Sequence, residues 1–195
     1  MKKTILIDVD DVICENHFFN IVNEYLTLKG MVPLKSLDNF SRPDFENEVF
    51  PTDEERHSFS DYYITRDSYE GVNPIDGAVE GIRQLLKKND VYMVTSCIHY
   101  ERERDFARQF TDKFKWILDT FPFFPPENII MVNKKHVFRG DVIIDDRLKN
   151  LQGEYPIKIL FSSFHNDTVS DQELKEVGAV RAKDWNEIVS IINNS

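Results

Sequence analysis

Thr4-Ile5-Leu6-Ile7-Asp8-Val9-Asp10-Asp11-Val12-Ile13 opens the chain with an apolar run that ends in carboxylates. The run does not alternate polar and apolar residues, which predicts a strand over 4–9 covered on both faces, the habit of parallel sheets. Short runs of the same kind follow at 91–95 (Val91-Tyr92-Met93-Val94-Thr95), 129–132, 142–145 and 157–162. Helical patterns lie between them. Strands alternating with helices predict an α/β fold, a largely parallel sheet sandwiched by helices. The segment 77–88 places Ala78, Val79, Ile82, Leu85 and Leu86 on one stripe. A longer helix near 99–120 does the same with Phe106, Phe110, Phe114, Ile117 and Leu118. Both stripes read as core packing. Thr52-x-x-Glu55 and Ser170-x-x-Glu173 carry the capping-box pattern of two further helix starts.

One spacing stands out. From Asp10 to Thr95 the chain runs 85 residues, whereas a strand–helix–strand crossover needs only ~30. Residues 15–75 are helical in pattern and rich in aromatics: Phe18, Phe19, Tyr25, Phe40, Phe45, Phe50, Tyr62, Tyr63 and Tyr69. They predict a small helical cap inserted after the first strand, with 1–14 and 76–195 forming the core.

Asp8 and Asp10 fall at the carboxyl end of the first strand, where open α/β sheets bind ligands. On an extended segment they face opposite ways, so both reach one site only if the strand stops at Asp8 and the chain curls. Capping of the next helix is the plainer reading of the pair. Thr95 and Ser96 end the second strand, where hydroxyls and the N–H groups opening a helix make a phosphate cradle. Lys135 lies near the end of the third strand, able to hold a phosphate oxygen, or to form a solvated surface pair with Lys134. Asp145-Asp146 end the fourth. Four carboxylates at one sheet edge cannot all stay ionised without a cation, and hard oxygen ligands suit Mg²⁺.

The order Asp-x-Asp, Thr, Lys, paired Asp resembles the haloacid-dehalogenase superfamily of phosphohydrolases, whose phosphatases carry the second Asp, here Asp10. Within it the chain resembles the 5′(3′)-deoxyribonucleotidases (the cytosolic type C 5′-nucleotidases) and their bacterial relatives. The segments that carry this are Ile7-Asp8-Val9-Asp10-Asp11-Val12-Ile13, Asn73-Pro74-Ile75-Asp76-Gly77-Ala78, Val94-Thr95-Ser96 and Lys115-Trp116-Ile117. To them belong Glu127-Asn128-Ile129-Ile130, Ile143-Ile144-Asp145-Asp146-Arg147, Ile159-Leu160-Phe161, His165-Asn166 and Asp184-Trp185. They run from the first strand to the last helix, and the match is loosest in the cap.

The resemblance implies a Rossmann-like fold and Mg²⁺-dependent hydrolysis of (deoxy)nucleoside 5′- or 3′-monophosphates through an aspartyl-phosphate. It makes Asp8 the nucleophile. Asp10 becomes the acid and then the base, with a pKa raised by crowded carboxylates and a closing cap. Asp8, the Asp10 carbonyl and Asp146 become metal ligands, with Asp145 orienting Asp146 or standing as the alternative ligand. Thr95, Ser96, Lys135 and the Asp11 backbone N–H would hold phosphate, and Tyr63 and Phe40 match cap aromatics of the substrate pocket. Two departures matter: Asp11 stands where these nucleotidases have Gly, and Asn16, followed by His17 and Phe18, stands where they have an aromatic on the base. The rival readings are a phosphatase for another small ester, such as a sugar phosphate, and a binding module that has lost catalysis. The intact Asp8, Asp10, Thr95, Lys135 and Asp146 set speaks against the second.

The bulk composition agrees. The 195 residues suit one domain with an insertion, and 41% apolar residues with 15 Phe support a real core. A net charge of −10 argues against a duplex-binding face and so against a nucleic-acid partner. Two cysteines, Cys14 and Cys97, suit a reducing cytosol and read as small apolar groups, although one disulfide stays open. No apolar run approaches the ~18–20 residues that span a bilayer. The stretch after Lys2-Lys3 stops at Asp8, too short for a secretory segment. A cytoplasmic protein with a small nucleotide substrate and no membrane partner is expected, and the resemblance suggests a homodimer.

Overall fold

In the computed structural model, which describes residues 2–96 and 107–195, six strands form one sheet. They are β1 (Thr4–Ile7), β2 (Asp90–Thr95), β3 (Ile129–Met131), β4 (Val142–Asp145), β5 (Ile157–Phe161) and β6 (Ala179–Ala182). All neighbours are parallel, in the order β3-β2-β1-β4-β5-β6. The helices are α1 (His17–Leu28), α2 (Glu46–Val49), α3 (Asp53–Tyr63), α4 (Ala78–Leu86), α5 (Ala107–Thr120), α6 (Asp171–Val177) and α7 (Trp185–Asn194).

The unbroken apolar runs are explained by burial on both faces. Ile5, Ile7, Val91, Met93, Val142 and Ile144 join one cluster with Ile82 of α4, Ile117 of α5 and Ile188 of α7. Leu6, Val94, Ile143 and Leu160 point the other way, onto Leu151 and Leu174. Between β1 and β2, helices α1 and α3 gather Ile21, Val22, Tyr25, Leu26, Phe45, Phe50, Phe59 and Tyr63 into a separate cluster. Both capping boxes are present, Thr52 with Glu55 at α3 and Ser170 with Glu173 at α6.

The α/β architecture expected from the sequence is the one observed, with three local differences. First, β1 ends at Ile7 rather than residue 9 because Asp8 turns its N–H to the Ile144 carbonyl (3.0 Å) and the chain then curls. Second, β6 is an addition. Its four residues include Arg181, which donates to Asn166 Oδ1 and to the Val169 carbonyl (both 2.9 Å), so no apolar run marks it. Third, α5 does not bury the expected phenylalanine stripe. Its buried residues are Gln109, Lys113, Trp116 and Ile117, while Phe114 is 37% exposed and Phe110 leans on the cap cluster. The helix turns polar groups inward because it walls a polar cavity. Phe106 and Cys97 lie outside the described residues, and Cys14 is buried.

Helices α4 and α7 touch closely. A Cβ at Gly81 would lie 2.5 Å from Trp185 Cε3, and Trp185 is itself fixed by its Nε1–H bond to the Val12 carbonyl (2.9 Å). Gly81→Val is expected to lower the stability measured by urea unfolding by about 3 kcal/mol, the upper range for overpacking. An unchanged midpoint would show that the contact gives way freely.

Candidate active site

In this strand order the chain reverses direction across the sheet between β1 and β4, and open α/β sheets bind ligands outside the carboxyl ends of such strands. Asp8 follows β1, and Asp145-Asp146 close β4. After Asp8 the N–H groups of Ile13 and Cys14 both turn back to the Val9 carbonyl (2.9 and 3.1 Å), and Asp11 N–H bonds the Cys14 carbonyl (3.1 Å). This curl brings Asp8 and Asp10 to the same cavity. Asp11 takes a left-handed conformation (φ 57°), which Gly adopts at least cost, and Asn16 Nδ2 donates to its Oδ2 (3.2 Å).

The cavity measures about 540 Å³. Asp8, Asp10, Asp11, Ser96, Lys135, Asp146 and Tyr63 line it, as do His17, Phe18, Tyr69, Gln109, Lys113 and Arg147. Thr95 and Asp145 are fully buried behind that lining. Phe40 packs on Phe45 (ring centroids 5.4 Å) within the cap cluster and is not among the lining residues.

Two buried lysines organise the carboxylates. Lys135 Nζ lies 2.5 Å from Asp8 Oδ2 and 2.7 Å from Asp145 Oδ2. Burial opposes its charge, but Asp145 and Asp8 hold its pKa well above the ordinary amine range. The reading of Lys135 as a solvated surface group is thereby excluded. Lys113, unrecognised in the sequence, donates to Asp10 Oδ2 (2.6 Å), Thr95 Oγ1 (2.9 Å) and the Ser96 carbonyl (2.5 Å).

Asp145 has both oxygens taken: Oδ2 by Lys135, and Oδ1 by the Arg147 backbone N–H (2.9 Å) and Asn150 Nδ2 (2.8 Å). Asp146 is held differently. His165 Nε2 meets its Oδ2 at 2.7 Å, and Asn166 Nδ2 donates to its carbonyl (2.8 Å).

The electrostatics separate the two carboxylates of the Asp-x-Asp pair. Burial pushes Asp8 up to about 8; Lys135 pulls it down, while Asp145, Asp146 and Asp10 push it further up. Burial also raises Asp10, but Lys113, His17 and the bonds from Lys113 and Tyr69 (OH to Oδ1, 2.5 Å) hold it well below the usual carboxylate range. The expectation of a raised Asp10 pKa is therefore reversed, and Lys113 is the reason. His17 is pushed down to about 4, chiefly by burial, and its neutral ring stacks on Tyr69 (4.7 Å, 13°).

Among the described residues, Asp8, Asp10, Asp11, Asp44, Glu46 and Asp146 line the cavity with Asp145 behind them, against Lys113, Lys135, Arg147 and Lys149, an excess of acid that a divalent cation offsets. Carboxylate oxygens of Asp8, Asp145 and Asp146 lie within 4.8 Å of one another, an all-oxygen donor set that fits Mg²⁺. Asp145 is fully buried behind the cavity, whereas Asp8 and Asp146 line it and are the carboxylates best placed to hold the ion.

Comparison with known proteins points the same way. A family model described as 5′ nucleotidase, deoxy (Pyrimidine), cytosolic type C protein matches residues 2–195. The 5′(3′)-deoxyribonucleotidase of Bacillus subtilis is 26% identical over 194 residues, 96% of this chain and 97% of that protein. Among solved structures, a haloacid dehalogenase-like hydrolase of Streptococcus pneumoniae superposes with a TM-score of 0.60 at 13% identity, covering 98% of both chains. A hydrolase from Pseudomonas syringae gives 0.55 at 16% identity, covering 99% of both. At such identities these likenesses speak to the fold alone.

Proposed function

The chain belongs to the family of 5′ nucleotidases, deoxy (Pyrimidine), cytosolic type C, and on that footing we propose that it is a Mg²⁺-dependent phosphomonoesterase acting on deoxynucleoside monophosphates. The observation that carries this reading is the single cavity that joins Asp8, Asp10, Lys135 and Asp146 to the aromatic rings of Phe18 and Tyr63. A volume of about 540 Å³ accommodates a nucleoside monophosphate, and the rings offer a flat apolar surface to a base. The cap is proposed to be residues 15–75, set on a core of 1–14 and 76–195.

Asp8 is the proposed nucleophile. Its Oδ1 accepts from the Val9 N–H (2.7 Å) and its Oδ2 from Lys135, which together fix the carboxylate. Attack on phosphorus breaks the ester bond and leaves a phosphoryl group on Asp8. Asp10, kept ionised by Lys113, suits the second half-reaction, in which it takes a proton from the water that releases phosphate. In the first half-reaction Asp10 gives its proton to the departing ribose oxygen, a transfer that Lys113 favours by stabilising the ionised Asp10 left behind. Ser96 and Lys135 face the phosphate, and Lys113 ties Thr95 to Asp10 behind it. Asp8, the Asp10 carbonyl and Asp146 are the proposed Mg²⁺ ligands, with His165 and Asn166 holding Asp146 in place. The bound cation offsets the charge of the carboxylates and phosphate and favours the ionised form of Asp8.

Chelation with EDTA is expected to abolish turnover, and Mg²⁺ restores it. Independently of activity, Mg²⁺ raises the melting temperature of the apoprotein, since binding at a hundredfold excess over Kd stabilises by about 2.7 kcal/mol. Equal melting temperatures with and without Mg²⁺ would remove the cation from this site.

A substrate panel tests the function itself. With Mg²⁺, dUMP, dTMP, dGMP, their ribose counterparts and several sugar phosphates are compared by kcat/KM. Preference for deoxynucleotides is expected. A preference for sugar phosphates would assign the cavity to another ester, and no turnover of any ester would make the protein a binding module.

A further inference from the structure

Asp10 serves as acid and as base in the proposed chemistry, and a carboxyl group rotates over a broad range unless its neighbours fix it. Lys113 is one fixed point, donating to Oδ2 (2.6 Å). The other is Tyr69, whose hydroxyl donates to Oδ1 (2.5 Å). His17 Nδ1 at 3.5 Å and Cys14 Sγ at 3.7 Å stand further from the same Oδ1. A carboxylate offers about two acceptor sites on each oxygen, so one close donor apiece leaves both oxygens able to meet a substrate. Asp10 lines the cavity with 29% of its side chain exposed, so a reacting group can reach it.

The Tyr69 hydroxyl is itself held in place from α5. Tyr69 N–H donates to Asp67 Oδ1 (3.0 Å), and Val72 N–H donates to the Tyr69 carbonyl (3.2 Å). Trp116 Nε1–H then donates to the Val72 carbonyl (2.9 Å). Tyr69 is 4% exposed, with its ring stacked on His17 (4.7 Å, 13°) and tilted against Trp116 (5.8 Å, 44°). Trp116 follows Lys113 by three residues, on the same helix face. One helix therefore fixes both oxygens of Asp10, Oδ2 directly and Oδ1 through the turn at 69–72. A buried phenol needs some acceptor. This one takes an oxygen of the acid, inside the cavity.

Resting on the nucleotidase reading, we propose that Tyr69 is a positioning residue that aims the Asp10 carboxyl group at the departing oxygen. As an Asp8 oxygen bonds phosphorus, the bond from phosphorus to the ribose oxygen breaks and the proton on Asp10 passes to that oxygen. Tyr69 gives and takes no proton in this step. Its hydroxyl holds the plane of the carboxyl group. Its bond also strengthens as Asp10 becomes a carboxylate, since hydrogen bonds to an ionised acceptor are roughly twice as strong as neutral ones. An interaction that grows towards the transition state is the kind that raises the rate. The effect falls on esters whose leaving group needs a proton and spares those whose leaving group does not.

The test pairs a change in the protein with a change in the leaving group. Tyr69→Phe removes one oxygen and keeps the buried ring. The deoxynucleotide that the wild type hydrolyses best is compared with its analogue carrying sulfur as the bridging ester atom, whose thiolate departs without a proton. The quantity read is kcat/KM, which covers the steps up to that departure. The variant is expected to lose about tenfold or more on the oxygen ester, a part of the ~10²–10⁴ that a positioned acid supplies. On the sulfur ester it should stay within about twofold of the wild type. A purely structural role lowers both rates alike, as does a partly unfolded sample, so the ratio isolates the acid. Tyr69→Leu is the second variant should the first not fold, as judged by its melting temperature. Equal losses on the two esters, or no loss on the oxygen ester, overturn the proposal. Failure of the underlying reading looks different: the wild type would then prefer a sugar phosphate to any nucleotide, and the same ratio taken on that ester and its sulfur analogue still decides the role of Tyr69.

Discussion

Asp8→Asn should abolish turnover of every phosphate ester, by at least about 10³-fold in kcat, while the protein stays folded. The amide keeps the shape of the carboxylate but cannot attack phosphorus. Stability should hold or rise. Asp8 is buried beside Asp145 and Asp146, and its proton affinity is already raised by that burial and by those neighbours. A neutral side chain removes the repulsion, and Lys135 keeps its bond to Asp145 (2.7 Å). Melting temperature and circular dichroism check the fold, and release of inorganic phosphate checks the chemistry. A folded variant retaining more than a few per cent of wild-type activity would remove Asp8 as the nucleophile.

Lys113→Met is expected to be nearly as damaging, for a different reason. The ammonium is 2% exposed and bonds Asp10, Thr95 and the Ser96 carbonyl at once, so it fixes three groups at the ends of β1 and β2. Without it Asp10 loses the charge that holds it ionised, and a carboxylate is left without its partner. Misplacing a catalytic group by ~1 Å costs about 10²-fold, which is the loss expected in kcat. Removing one member of a buried pair costs about 3–5 kcal/mol; Asp10 is 29% exposed, so the stability loss should fall below that range. Lys113→Arg restores the charge, but a planar fork does not reproduce three convergent bonds from one nitrogen, so only part of the rate returns. Were Lys113→Met to lose stability and keep kcat, Lys113 would be a support of the fold alone.

The two variants mark what the sequence reveals and what it hides. Asp8 and Asp10 are legible because an apolar run ends on them, and Asp145-Asp146 for the same reason; strand ends are visible in one dimension. Lys135 is legible through its place between strands. Lys113 and Gln109 are not. They sit on a helix whose pattern is read from its apolar residues, and Phe110 and Phe114 outweigh polar residues that in fact face inward. A lysine pointing into a cavity has the same one-letter code as one in solvent. The bond from His165 to Asp146 joins residues 19 apart in sequence, and only the close of β5 beside β4 brings them together. Likewise β6, with Arg181 in its middle, becomes a strand by pairing with β5 rather than by composition.

The direct test of the account is to find the phosphoryl group. Wild-type protein turning over dUMP with Mg²⁺ is quenched in acid, reduced with borohydride, which converts an acyl-phosphate to the alcohol, and digested for mass spectrometry. The account predicts one modified residue, Asp8, absent when substrate is omitted. Modification of a different residue, or of none while phosphate is released in full, would contradict it.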